Sequence, residues 1–208
     1  MKVVIAGGGI GGLTAALSLH QAGIDVVVHE AVADIKPLGV GINILPHAAR
    51  ELIDLGLEAA VDRLAIRTSA MRYYTHTGQL VISQPCGLHA GYHWPQWSLH
   101  RGQLHMLLLR TFEERAGAEH VIRGSSLVDF SQHAKGVCVR FKQARDGRIR
   151  SLDCDLLVGA DGLHSAVRRQ LFPRGGKPIY CGMVLYRAAV ESQPFLDGHS
   201  MVIVGDKR

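Results

Sequence analysis

Cysteine is scarce in this chain: 208 residues hold only Cys86, Cys138, Cys154 and Cys181, with no CxxC pair among them. Such spacing offers no disulfide scaffold, so the thiols read as reduced, and because Gly91 and Pro95 interrupt the segment that holds His89 and His93, no metal site is expected. Long apolar runs are missing too. The apolar start Val3-Val4-Ile5-Ala6 breaks into glycines after four residues, too soon for a secretory signal, and no later stretch is long enough to span a bilayer. The expectation is a cytoplasmic protein with no membrane partner. A formal charge of +5 raises the question of nucleic acid. Yet no basic run exceeds Arg168-Arg169 and acidic residues are interleaved, so nucleic-acid binding is not expected.

What is present is a strand–turn–helix–strand pattern. Lys2 to Ala6 is short, continuously apolar and β-branched, as a buried parallel strand is. After Gly7-Gly8-Gly9-Ile10-Gly11-Gly12, the stretch Leu13 to Ala22 reads as a helix closed by Gly23. Asp25 to Glu30 is a second Val-rich strand. Together they make a parallel, right-handed βαβ unit. In the spacing Gly7-x-Gly9-x-x-Gly12, the first glycine permits a tight turn, the second a close backbone approach to a pyrophosphate, and the third helix–strand packing. The helix N-terminus offers free N–H groups to an anion, and Glu30 stands where a carboxylate accepts from ribose hydroxyls. Sterically required glycine turns look similar, and the motif does not separate NAD from FAD.

Further along, Pro46 to Leu55 reads as a helix with Gly56 as its stop. Met71 to Thr75 and Leu80 to Ser83 flank Thr77-Gly78 as a hairpin, and Val137 to Lys142 and Arg148 to Leu152 flank Asp146-Gly147 as another. Arg101 to Ala116 returns to helix. Asp155 to Val158 is a buried strand leading into Gly159-Ala160-Asp161-Gly162 and a helix from His164 to Leu171. Asp161 can hydrogen-bond a sugar-alcohol hydroxyl, or simply cap that helix. From Cys181 onward alternating, turn-rich strands are expected.

Read together, these segments resemble the FAD-dependent aromatic-ring hydroxylases of the p-hydroxybenzoate and salicylate hydroxylase type. The glycine fingerprint, Glu30, the helix start Arg101-Gly-Gln-Leu104 and the stretch Gly159-Ala-Asp161-Gly162-x-x-Ser165-x-x-Arg168 occur in the family's order. Pro37-Leu-Gly39-Val-Gly41-Ile-Asn43 matches its loop beside the flavin. Within the family, the phenazine-hydroxylating branch is the most similar. The resemblance implies an α/β fold: a Rossmann-like FAD-binding domain, a parallel sheet with helices, into which a mostly antiparallel and here incomplete substrate sheet is inserted. It divides the chain into 1–70 and 99–175 for FAD, 71–98 for a substrate-domain hairpin and loop, and 176–208 for the start of a truncated substrate domain.

Carried over, the resemblance implies that Gly7, Gly9, Gly11 and Gly12 hold the pyrophosphate and Glu30 the adenosine ribose. Gly41 would lie along the flavin and Arg101 would reach the phosphates or ribityl chain. The backbone at Leu127 and Val128 would flank adenine, while Asp161 and Gly162 would meet the ribityl or pyrophosphate region. NAD(P)H would be a transient reductant, and a flavin C4a-hydroperoxide would deliver one atom of dioxygen to a small aromatic substrate. No side chain announces itself as catalytic, in keeping with a cofactor that performs the chemistry. Gly205-Asp206 is not counted as the family's later Gly-Asp motif, so these residues correspond to an N-terminal half that alone is not expected to hydroxylate.

His89, Tyr92, His93, Trp94 and Trp97 could line a flat pocket or pack beneath a loop. Ser165 reads as an early-helix hydroxyl, and the role of Tyr186-Arg187 stays open. Two other readings stand beside the hydroxylase: another FAD-linked oxidoreductase such as a reductase or halogenase, and an inactive nucleotide-binding fragment.

Overall fold

A computed structural model describes residues 1–176 and 178–205. Its elements begin with β1 (Lys2–Ala6), α1 (Ile10–Gln21), β2 (Asp25–Glu30), β3 (Gly41–Ile44), α2 (Pro46–Asp54) and α3 (Glu58–Asp62). They continue through β4 (Ala65–Arg67), β5 (Ala70–Thr75), β6 (Leu80–Pro85), β7 (Trp97–His100) and α4 (Arg101–Ala116). The remainder are β8 (Val121–Arg123), β9 (Ser125–His133), β10 (Gly136–Gln143), β11 (Ile149–Cys154), β12 (Leu156–Gly159), α5 (Ala166–Leu171) and β13 (Ser200–Gly205). No helix among the described residues is long and apolar enough to cross a membrane.

The chain forms two compact units. The first comprises Met1–Pro37 and His105–Leu185, the second Leu38–Leu104 and Tyr186–Arg208.

In the first unit, β12-β1-β2-β8 form a parallel sheet. Val3, Val4, Ile5 and Ala6 are all buried because both faces of β1 are covered. α1 covers β1 and β2 on one side, where Leu13 and Leu17 have no exposed surface. Each contributes about 1.5–3 kcal/mol of burial. Against the other face lies the antiparallel sheet β11-β10-β9, whose Val137, Val139, Phe141 and Cys154 cluster with Val4 and Ala6.

The second unit holds two three-stranded sheets. In β3-β7-β4 all pairs are antiparallel, whereas in β13-β5-β6 the chain returns to place β13 parallel to β5. Trp97 is fully buried on β7, and its Nε1 donates to Asp62 Oδ1 at 2.8 Å. Arg67 grips the same carboxylate from Nε and Nη2, which holds Asp62 below the usual carboxylate range. Trp97 is therefore core; Trp94 instead lies beneath the Arg50 guanidinium, 5.6 Å from its ring centre.

Three expectations need correction. α1 begins at Ile10 rather than Leu13, because the glycine turn winds straight into the helix: Leu13 N already donates to Gly9 O at 2.9 Å. The last helix begins at Ala166 rather than His164, after Ser165 as its N-cap. Beyond Cys181, β13 is the one strand among the described residues. Met183, Leu185, Tyr186 and Val190 stay 79–93% exposed there. Apolar alternation makes a strand only where an edge supplies ladder partners, and β13 alone finds one. Asp206 of the Gly205-Asp206 pair lies outside the described residues.

A Cβ added at Gly12 would stand 1.9 Å from the Gly7 carbonyl oxygen, while one at Gly11 would meet nothing within 4 Å. Gly12→Ala should therefore destabilise the cofactor-free protein by about 3 kcal/mol or more, whereas Gly11→Ala should stabilise it by about 0.5–1 kcal/mol. Urea unfolding curves check this; similar midpoints for the two variants would contradict the packing described.

Candidate nucleotide-binding site

β1 sits between β2 on one side and β12 on the other, and the loops leaving β1 and β12 lie together at the carboxyl edge of the sheet, where the strand order switches. Such a switch point opens a crevice. Here it is a cleft of about 350 Å³ lined by Gly7, Gly9, Glu30, Ala31, the segment 125–127, the segment 160–162, His164 and Arg169, with Ala6, His29 and Ala166. Its floor is tight. Gly7 has φ +109°, and a Cβ there would stand 2.3 Å from the Ala160 carbonyl oxygen. Gly7 N donates to His29 O and Ala160 N to Ala6 O, both at 2.8 Å.

Glu30 ends β2 and uses both oxygens locally. Oε2 accepts from Gly8 N and Oε1 from Val32 N, each at 2.7 Å. The carboxylate is thus fixed at the cleft wall with further lone pairs to offer.

Asp161 is divided in a different way. Its Oδ2 accepts from Ala166 N at 2.6 Å and Val167 N at 3.4 Å, capping α5, and Ser165 Oγ accepts from Arg168 N at 2.9 Å. Asp161 Oδ1 is buried with no hydrogen-bond partner among the described residues. The capping role weighed from the sequence is real, but it accounts for one oxygen only. A buried acceptor left unmade costs about 1–3 kcal/mol, so its place on a cleft asks for a donor from a ligand.

The opposite wall is β9, whose half-buried Leu127 faces Phe141 where β10 shifts register. α5 is tied to β9 by the Gln170 amide: Phe130 N donates to Oε1 at 3.2 Å, and Nε2 donates to Phe130 O at 2.5 Å.

Of the ten residues expected to bind cofactor, the first unit therefore carries Gly7, Gly9, Gly11, Gly12, Glu30, Leu127, Asp161 and Gly162, with Gly11 and Gly12 inside α1. Gly41 and Arg101 belong to the second unit. There Gly41 lies opposite His100, Arg101 N donates to Val40 O at 2.8 Å, and the Arg101 stem runs along Gly39. The exposed Arg101 side chain makes no ion pair among the described residues. Arg187, whose role the sequence left open, donates from Nη2 to the Gly41 carbonyl.

Sequence reasoning missed His29, Ser125 and His105. His29 is buried and stacks on Phe141 with ring centres 3.8 Å apart. Ser125 Oγ accepts from Gln143 Nε2 at 3.0 Å and is hydrogen-bonded to His29 Nδ1, 2.8 Å away. The ring is neutral: burial, and then the charge of Lys2, pull its pKa down to about 4. His105, one residue past Leu104 of the helix-start motif, sets Nε2 2.6 Å from Gly8 O.

A family model described as an FAD binding domain matches residues 1–190. Phenazine 1,6-dicarboxylic acid hydroxylase of Lysobacter antibioticus is 44% identical over 99% of this chain and 51% of its own length. Among solved structures, 2,6-dihydroxypyridine-3-hydroxylase from Arthrobacter nicotinovorans aligns with TM-score 0.66 and 32% identity, over 87% of this chain and 41% of that one. The flavin-dependent monooxygenase PieE, solved with FAD and substrate, aligns with TM-score 0.71 and 25% identity, over 82% and 32%. The chain spans about half the length of the curated relatives it matches.

The buried His29 makes stability pH-dependent. Its folded pKa of about 4 lies below the ordinary 6.5, so the unfolded chain takes up a proton first as pH falls. Stability is full above pH 6.5 and should drop by about 3 kcal/mol as pH falls toward 4. Urea midpoints at pH 7, 6, 5 and 4 for the unsubstituted protein and His29→Gln isolate the effect, which the variant should lack.

Proposed function

Since the chain belongs to the FAD binding domain family, we propose that it supplies the adenosine- and pyrophosphate-binding part of an FAD-dependent monooxygenase. Its substrate on this reading is a small aromatic acid, phenolic or phenazine-like, hydroxylated at the expense of NAD(P)H and dioxygen. The observation that carries the reading is Asp161 Oδ1, a buried acceptor without a donor, beside a glycine turn whose Gly9 has open space in front of it. Those features fit FAD. Ribityl hydroxyls are donors that Asp161 lacks, and the α1 N-terminus has no acidic residue in its first turn to repel a pyrophosphate. Glu30 would accept from the adenosine ribose, and the β9 backbone at Leu127 and Val128 would flank adenine.

When bound, FAD would supply the redox chemistry, in which two electrons from NAD(P)H split dioxygen, one oxygen atom entering the ring as hydroxyl and the other leaving as water. The residues of this chain hold the nucleotide end rigidly, which fixes the flavin end relative to the fold. On the same reading, residues 1–70 and 99–175 serve FAD, residues 71–98 and 176–208 serve the substrate side, and the protein works in the cytoplasm. Gly41 and Arg101 rest on the sequence resemblance. The phenazine-type substrate is favoured by the 44% identity to the Lysobacter antibioticus hydroxylase.

The test begins with flavin titrations of the chain, where FAD should bind and FMN should not. Glu30→Ala should weaken FAD binding by about 1–3 kcal/mol through lost hydrogen bonds to a charged group. Oxygen uptake with NADH or NADPH and phenazine or phenolic acids then follows, on the chain alone and complemented by the C-terminal half of the Lysobacter antibioticus relative. Hydroxylated product is expected in the complemented sample. A chain that does not bind FAD overturns the reading.

A further inference from the structure

The glycine turn contains a peptide that two glycines leave free to rotate, and a histidine outside the turn holds it. We infer that His105 is a positioning residue that aims the Gly9 amide into the cleft, toward the phosphates of the bound nucleotide. The inference rests on the cofactor reading above and goes beyond it in assigning a residue from α4.

Gly8 C=O and Gly9 N–H belong to one trans peptide plane, so they point in opposite directions. His105 Nε2 lies 2.6 Å from Gly8 O. A carbonyl oxygen can only accept, so His105 carries its proton on Nε2 and donates. With the carbonyl captured on the α4 side, the Gly9 N–H is turned the other way, and Gly9 lines the cleft. No described residue accepts from Gly9 N, and a Cβ at Gly9 would meet nothing within 4 Å. The preceding amide has a different fate, because Gly8 N–H is already taken by Glu30 Oε2 at 2.7 Å.

Without His105 the 8–9 peptide could turn over at little steric cost, since neither flanking residue has a Cβ. The carbonyl oxygen would then face the cleft and repel a phosphate. With His105 in place the amide is also polarised, because a hydrogen bond to the carbonyl strengthens the donor at the other end of the same peptide. Glu30 and His105 thus grip residue 8 from two sides, and the amide left over is the one aimed at the ligand.

ADP and adenosine separate this role from general scaffolding, since only ADP carries the pyrophosphate. Affinities of the 208-residue chain for ADP, adenosine and FAD would be measured by calorimetry for the unsubstituted protein, His105→Leu and His105→Gln. In His105→Leu, ADP and FAD should bind about tenfold more weakly while adenosine stays within about twofold; His105→Gln, which keeps a donor at similar reach, should recover ADP binding to within about threefold. Equal losses for ADP and adenosine, or no recovery with glutamine, overturn the inference. If His105→Leu does not fold, the Gly9 amide resonance of the unsubstituted chain decides: it should move with ADP and not with adenosine, and a resonance indifferent to ADP overturns the inference. An unsubstituted chain that binds neither ADP nor FAD removes the cofactor reading itself. Normal binding with ADP affinity unaltered in His105→Leu removes the His105 assignment alone.

Discussion

Backbone crowding at the carboxyl ends of β1 and β12 is the constraint on which the rest of the first unit depends. Gly7, Gly12 and Ala160 approach so closely that side chains at the two glycines would overlap main-chain oxygens. Because the contact is backbone on backbone, no rotamer change can relieve it. It brings the loop after β1 and the loop after β12 into one place, and the cleft is the space left between them and β9. Glu30, Asp161 and His105 then act on a frame already set by sterics, each fixing one feature of the turn: the Gly8 amide, the start of α5, and the Gly8 carbonyl.

Much of this frame was legible in the sequence because its signals are local. β1 and β2 are short Val-rich runs, α1 follows a glycine turn, and the β5–β6 and β10–β11 hairpins each carry a turn dipeptide. Elements whose identity depends on a distant partner were harder to read. β3, β4, β7 and β8 are three or four residues long and lack a turn signature of their own. β9 begins beside Gly124 and becomes a strand through β10. Beyond Cys181 the error ran the other way, because alternation implied strands where no ladder partner exists among the described residues.

The site divides along the same line. Residue types with one dominant use at one position, such as a carboxylate closing β2 or glycines before α1, could be named from spacing. His29 and His105 could not. His29 sits in a strand where its side chain reads as an interruption of the apolar run, and only the Ser125–Gln143 pair across the sheet shows why a neutral imidazole is satisfied there. His105 reaches a carbonyl 97 residues away in the chain. Asp161 lies between these cases: its capping role was visible, and its unpaired second oxygen was not.

The Gln170 amide has a bearing on self-association. β9 is the outer strand of its three-stranded sheet, and an outer strand offers its free N–H and C=O groups to any passing chain. At Phe130 both groups are already occupied by one side chain that mimics a strand's pair of ladder bonds. An invading strand would have to displace Gln170 and detach α5 before gaining its first hydrogen bonds there. The wall of the cleft therefore doubles as a guard against edge-to-edge aggregation.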